Sequence, residues 1–218
     1  MKKLLASGME RIYQLGPCFR DGERGSRHNP EFTMLEWYRR NATYLDIKDD
    51  FTQLLDVLGL TAKAGDMATI TVRQAYMRFA SWDPFEGSWD QDRFDYDMAV
   101  KVEPALKNLR GVFLIDYPKQ CASLAKVVGS KAERWEFYFQ GLELANCFTE
   151  LCDGEEQRRR FAAAKEERKA LGEADYPLDE EFLACVDAMH SAAGVAVGID
   201  RLVMAALGLK DIDQARVI

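Results

Sequence analysis

Residues 19–38, FRDGERGSRHNPEFTMLEWY, bring together the side chains of this chain best suited to chemistry. Arg20 closes what reads as a strand, and the loop after it carries Glu23, Arg24, Arg27 and His28. A second strand then alternates, so that Phe32, Met34, Glu36 and Tyr38 point one way and Thr33, Leu35 and Trp37 the other. A ring, a carboxylate and a phenol in one row make an odd face for a plain core strand, because a buried Glu needs a cationic partner. The guanidinium groups and imidazole beside it suit a polyphosphate. A nucleotide and an ammonium-bearing substrate, side by side, would use all of these groups.

Three further places carry candidate chemistry. Glu136 and Glu143 fall in adjacent strands across a tight turn. Two neighbouring carboxylates repel unless a proton or cation sits between them, and a divalent ion bridging nucleotide phosphates would do so. Two exposed Glu on strand edges would give the same spacing. In ELANCFTEL, residues 143–151, alternation puts Asn146, Phe148 and Glu150 on one face and Glu143, Ala145 and Cys147 on the other. The first set matches Phe32, Glu36 and Tyr38 in kind, and together they could hold an alkylammonium, with a surface-facing polar strand as the plainer alternative. In GVAVGIDRLVMAALG, residues 194–208, small residues allow close backbone approach, and Arg201 sits in the first helical turn where an anion is favoured. It could clamp a terminal phosphate.

The elements that must position these groups read as follows. Lys2 to Ser7 looks like the end of a helix with Gly8 as its C-cap, and a strand runs from Arg11 to Arg20. Thr43 caps a helix whose apolar face is Tyr44, Ile47, Phe51, Leu54, Leu55 and Leu58, ending at Gly59. Residues 60–110 give mixed signals and are expected to form a lobe that contributes little to the chemistry; residues 69–72 suit either a short strand or the approach to a helix. Val112 to Asp116, Trp135 to Gln140 and Leu142 to Thr149 read as strands, the last two joined at Gln140-Gly141. Asp153 and Asp179 cap helices, and Arg158-Arg159-Arg160 reads as a solvated face. Gly194 to Gly198 is a strand that turns into a helix at Asp200, with Gly208 as its stop. Antiparallel hairpins followed by helices predict an α+β fold in one domain spanning 1–218.

Composition narrows the function classes. With 48% hydrophobic and 30% charged residues in 218, the chain is globular. A net charge of -7 argues against a broad phosphate-tracking surface for nucleic acid. The cysteines (Cys18, Cys121, Cys147, Cys152, Cys185) form no CxxC pair and suit reduced thiols in a cytosol, used as small hydrophobes. The opening MKKLLASGMERIYQLG is too short and polar for a signal peptide, and no apolar run approaches a membrane span. A soluble, cytoplasmic protein is expected.

Taken together, the three segments resemble the active site of class II aminoacyl-tRNA synthetases, within them the lysyl branch. FRDGERGSRHNPEFTMLEWY resembles motif 2 (19–40), ELANCFTEL the substrate strand and GVAVGIDRLVM the start of motif 3 (194–208). More narrowly the chain is similar to the branch, without an anticodon domain, that attaches β-lysine to translation elongation factor P. The resemblance implies ATP and Mg²⁺ as cofactors. It makes Arg20 and Arg201 the catalytic pair, with Arg20 on the α-phosphate, and it gives ATP binding to Arg20, Glu23, His28, Asn29, Phe32, Glu143 and Arg201. Phe32 would stack on adenine with Arg201 opposite, and Glu136 and Glu143 would hold the metal. Glu36, Tyr38, Asn146, Phe148, Glu150 and Ala196 would line the pocket for lysine or β-lysine. Ala196 stands where lysyl-tRNA synthetases have Gly, a change of the kind worth ~1–3 kcal/mol in discrimination, which points to β-lysine.

The resemblance also implies a homodimer built on motif 1, but the chain begins after that motif and after the loop that helps hold the substrate amino group. The family's Glu two residues after the motif 2 arginine is Gly22 here, followed at once by Glu23. The alternatives are a catalytic fragment of a lysyl-tRNA synthetase, with tRNA as partner, and, in another class, a non-catalytic paralogue that binds nucleotide or amino acid.

Overall fold

Alternation of apolar and polar side chains builds one large sheet. In the computed structural model, which describes residues 1–215, the strands lie in the spatial order β1-β2-β8-β7-β6-β4-β3, with a short β5 against β6. They are β1 (Arg11–Phe19), β2 (Glu31–Arg40), β3 (Ala68–Thr71), β4 (Gly111–Pro118), β5 (Val127–Val128), β6 (Lys131–Phe139), β7 (Leu142–Thr149) and β8 (Ala192–Gly198). Every pairing is antiparallel except β3 with β4. The helices are α1 (Lys2–Ala6), α2 (Tyr44–Val57), α3 (Thr61–Ala64), α4 (Val72–Phe79), α5 (Gln91–Asp97), α6 (Glu103–Leu106), α7 (Gly154–Ala170), α8 (Glu180–Val186) and α9 (Ile199–Leu207). This is the mainly antiparallel α+β architecture expected. Residues 216–218, the end of the expected 1–218 domain, lie outside the described residues.

One face of the sheet is given to the core. Leu35 and Trp37 of β2, Val195 and Val197 of β8, Ala145 and Cys147 of β7, and Trp135 and Phe137 of β6 pack under Ile47, Phe51 and Leu55 of α2. The Phe51 ring lies 5.2 Å from Phe137 and 5.6 Å from Trp135. Full burial of such side chains stabilises by about 1.5–3 kcal/mol each, so α2 commits this face to packing. The opposite face of β2, β8, β7 and β6 is thereby left for polar groups.

The helix starts follow from local chemistry. Thr43 and Asp46 form a reciprocal capping box, and Asp153 and Asp179 accept from the backbone N–H groups of Glu156 and Phe182. The strand-or-helix ambiguity at 69–72 resolves as both: Thr71 ends β3, and its hydroxyl caps α4 by accepting from Gln74 N at 3.1 Å. The aromatic residues that follow without a period form a cluster in which Tyr76 stacks on Phe94 at 4.7 Å and meets Trp82 edge-on.

The segment 60–110 touches the polar face, where Glu103 at the start of α6 lies 3.4 Å from the Tyr138 hydroxyl. One expectation is corrected here. The arginine run on α7 is not uniformly solvated. Arg158 pairs with Glu180, whereas Arg160 donates to the carbonyls of Ser123 and Ala125 and ties α7 to the turn before β5. A period-based reading sees only the helix's own face, not the turn brought against it.

Candidate functional site

Strand register places the candidate groups in two rows. Glu36 lies opposite Ala196, Ala196 opposite Asn146, and Asn146 opposite Glu136. In the next row Tyr38, Gly194, Phe148 and Arg134 are opposed in the same way. Three distant parts of the chain, β2, β8 and the β6–β7 hairpin, thus deliver an acid, a small residue, an amide and an acid side by side, about 4.8 Å apart per strand.

Glu143 does not follow the alternation expected for it. Phe137 pairs with Ala145, yet Tyr138 pairs with Glu143, so Leu144 is an extra residue in β7. The bulge absorbs one position: Leu144 is buried, and Glu143 turns into the same cleft as Asn146. The single-period reading put Glu143 with Ala145 and Cys147, and a bulge is the one feature that period cannot show.

The β1–β2 hairpin and α9 close over a cleft of about 230 Å³ lined by Arg20, Glu23, Arg27, His28, Asn29, Phe32, Glu143, Asn146, Ala196 and Arg201. Arg20 lies over the Phe32 ring, 5.7 Å from its centre, and pairs with Glu23 at 3.2 Å. Arg201 spans the cleft. It meets His28 Nε2 at 2.6 Å, donates to the Arg27 carbonyl at 3.1 Å and donates to the Glu143 carbonyl at 3.0 Å. Burial and then the Arg201 charge hold the His28 pKa below its ordinary value, which suits a neutral imidazole accepting from the guanidinium. Asn29 faces the cleft but its amide donates to Asp213 at 2.8 Å, and Asp200 accepts from Thr33 N at 2.6 Å; the first bond ties the hairpin to the helical turn Ile212–Ala215 and the second to the start of α9.

Beyond Asn146 the acids gather. Glu136 is buried, and its Oε2 accepts from the hydroxyls of Tyr117 and Tyr138, each at 2.6 Å, while Oε1 pairs with Arg134. The Arg134 guanidinium also stacks over Tyr117 at 4.4 Å and lies 5.6 Å from the Phe148 ring centre. Burial and then the Glu136 charge push the Glu143 pKa up to about 7, with Arg201 opposing. Asn146 Oδ1 is buried there without a hydrogen-bond partner. Crowded carboxylates and an orphaned amide oxygen fit a hard divalent cation. Among the described residues no group of three or more His, Cys, Asp or Glu side chains forms a metal site by itself, so such an ion would need phosphate and water oxygens, as Mg²⁺ usually does.

At the other end of the rows, the Tyr38 hydroxyl donates to Glu36 at 3.1 Å. Glu150 is buried, its carboxylate in contact with the ammonium of Lys2. Sequence reasoning missed Lys2, Glu103, Tyr117, Arg134 and Tyr138. Arg134 and Tyr138 share the Glu136 face of β6 at i±2, a signal that was present; Lys2, Glu103 and Tyr117 arrive by tertiary packing. All five cysteines are free thiols, and burial pushes Cys121 up to about 12, which makes it unreactive. No helix among the described residues is long and apolar enough to cross a membrane.

Comparison with known proteins agrees with this geometry. The family described as tRNA synthetases class II (D, K and N) matches residues 1–217. The chain is 37% identical over 242 residues to a Proteus mirabilis protein named elongation factor P--(R)-beta-lysine ligase, covering 98% of this chain and 73% of that one. It is 38% identical over 239 residues to the protein of the same name from Photorhabdus laumondii, and 36% identical over 239 residues to that from Vibrio cholerae, with the same coverage of each.

Proposed function

The chain belongs to the class II tRNA synthetases (D, K and N), and from that membership we propose that it is a ligase that activates lysine or β-lysine with ATP and transfers the acyl group to a lysine side chain of elongation factor P. Residues 1–218 act as one catalytic domain in this reading. The observation that carries it is the row Glu36, Ala196, Asn146 and Glu136, which joins a cleft lined by Arg20, His28 and Arg201 to the carboxylates Glu36 and Glu150 on one sheet face.

Each group has a task that its position supports. Arg20, with its charge beside Phe32, would meet the α-phosphate while Phe32 takes one face of adenine. Arg201 would leave its contacts with Arg27 and His28 to cover the other face, and His28 would meet the outer phosphates. Glu36, Tyr38 and Glu150 would receive the side-chain ammonium, with Phe148 along the methylene stem. Glu143, Glu136 and Asn146 are the groups that would hold Mg²⁺, which would neutralise the charge of the departing pyrophosphate.

The substrate carboxylate attacks the α-phosphorus in line and pyrophosphate leaves. The acceptor amine then attacks the acyl carbon, an amide forms, AMP leaves with the acyl–phosphate bond broken, and the amine proton passes to solvent. Positioning and charge neutralisation supply most of the acceleration, so no side chain becomes a covalent nucleophile. Ala196 in the centre of the row and the acidic chain favour β-lysine and a protein acceptor over tRNA.

The test is pyrophosphate exchange with ATP in the presence of lysine or (R)-β-lysine, followed by mass measurement of elongation factor P. Exchange and a mass gain of one lysyl group are expected. A folded sample that exchanges with neither amino acid removes the proposal, and charging of tRNA without modification of the factor replaces its acceptor.

A further inference from the structure

Lys2 enters the polar face from a helix that carries none of the motifs. Its ammonium lies 2.5 Å from Glu150 Oε2, and the two side chains are only 14% and 2% exposed. α1 is anchored by Leu5, buried with Val186, Met189 and Ala192 beside Tyr38. Lys3 adds ion pairs to Asp179 and Glu181 at the start of α8. The packing of α1 therefore delivers Lys2 to Glu150.

Resting on the reading that this face takes the ammonium of a lysine-like substrate, we propose that Lys2 is a positioning residue: the resident counter-ion of Glu150, leaving Glu36 as the uncompensated carboxylate for one incoming ammonium. The charges that act on Glu150 are Lys2 from α1 and Glu36 from β2, with Tyr38 of β2 within reach of its own charge, and the cavity beside it adds Lys126, Cys152, Asp153, Glu156, Arg159, Arg160 and His190. Burial and the Glu36 charge both push Glu150 toward its protonated form, and Lys2 opposes them. Without Lys2 the two acids would share one proton, which engages Glu36 as well as Glu150 and must leave before Glu36 can meet an ammonium. If Lys2 instead occupied the place of the substrate, its removal would tighten binding.

Pyrophosphate exchange by Lys2→Met and Lys2→Arg separates these outcomes. Lys2→Met is expected to raise the KM for the amino acid about tenfold for each unit by which the pKa of that shared proton passes the assay pH. kcat should change far less, the acid limb of kcat/KM should move to higher pH, and Lys2→Arg should recover part of the loss. An unchanged or lower KM, or an unmoved acid limb, overturns the inference. Absence of exchange in the unaltered protein overturns the functional reading instead. The counter-ion role is then read from stability: Lys2→Met should lose stability relative to the unaltered protein as pH rises above 4.5, the ordinary carboxylate value, and Glu150→Gln in the same chain should abolish that trend. No such trend overturns the counter-ion role as well.

Discussion

The ring of Tyr38 lies directly over Gly194, its partner across β2 and β8, and a Cβ on Gly194 would overlap that ring. The glycine is there for the tyrosine, whose hydroxyl reaches Glu36 along the same face. Gly194→Ala should displace Tyr38 and cost about 1–3 kcal/mol of stability, as overpacking does. Denaturant unfolding checks the cost. The same variant should raise the KM for the amino acid more than that for ATP, because Arg20 and Phe32 lie outside the overlap.

Gly22 sits at φ +77°, and nothing lies within 4 Å of a Cβ placed there. The acid missing at that position has a neighbour in its stead, since Glu23 already pairs with Arg20 at 3.2 Å. Gly22→Glu should therefore bring no gain in exchange rate and cost about 1–2 kcal/mol for a side chain in the left-handed region. Glu23→Ala should lower the rate. A gain in rate for Gly22→Glu would show that Glu23 does not serve.

Glu143 has a folded-state pKa pushed from 4.5 up to about 7 by burial and by Glu136. The folded chain holds this proton where the unfolded chain has released it, so the contribution to stability is full below 4.5 and falls as pH rises through about 7. Metal binding needs the anion, so apparent Mg²⁺ affinity with ATP should climb with pH up to about 7 and level off above it. Titration between pH 6 and 8 tests this. Glu143→Gln should flatten both profiles.

Arg134 is the partner on which buried Glu136 depends. Arg134→Met should destabilise by about 3–5 kcal/mol, the usual cost of stranding one member of a buried pair. Arg134→Lys should recover little, because an ammonium cannot at once pair with Glu136, lie over Tyr117 and reach the Cys121 carbonyl. Arg134→Met with Glu136→Met should regain much of the loss. Equilibrium unfolding of the three variants decides it.

The position of Glu103 makes a separate prediction about the segment between β3 and β4. Burial and then Glu136 raise the Glu103 pKa, so the acid belongs electrostatically to the site although its helix lies in the lobe. Glu103→Gln should lower the Glu143 pKa by relieving like charge. The pH at which Mg²⁺ affinity levels off should move down, and an unmoved profile would contradict the coupling.

Much of this was legible in the chain itself. Period-2 patterning of Phe32, Met34, Glu36 and Tyr38 against Leu35 and Trp37 is a local property, and the sheet keeps it. Caps at Thr43, Asp153 and Asp179 were legible because a side-chain oxygen reaches only a few residues along. The turn at Gln140-Gly141 was legible because both residues must take positive φ, 50° and 79°. The motif strings made the family legible as well.

What tertiary structure alone decided is which distant groups meet. Register across β2, β8, β7 and β6 set Glu36, Ala196, Asn146 and Glu136 in one row, and no single strand encodes its neighbour's offset. The bulge at Leu144 turned Glu143 into the cleft, against its own alternation. Packing of α1 and α6 brought Lys2 to Glu150 and Glu103 to Tyr138. Sequence determined the chemistry available on each strand, because side-chain type and backbone period are local. The charge balance of the site was decided only in the fold, because Coulomb and desolvation energies depend on distances and burial that exist once the sheet has closed.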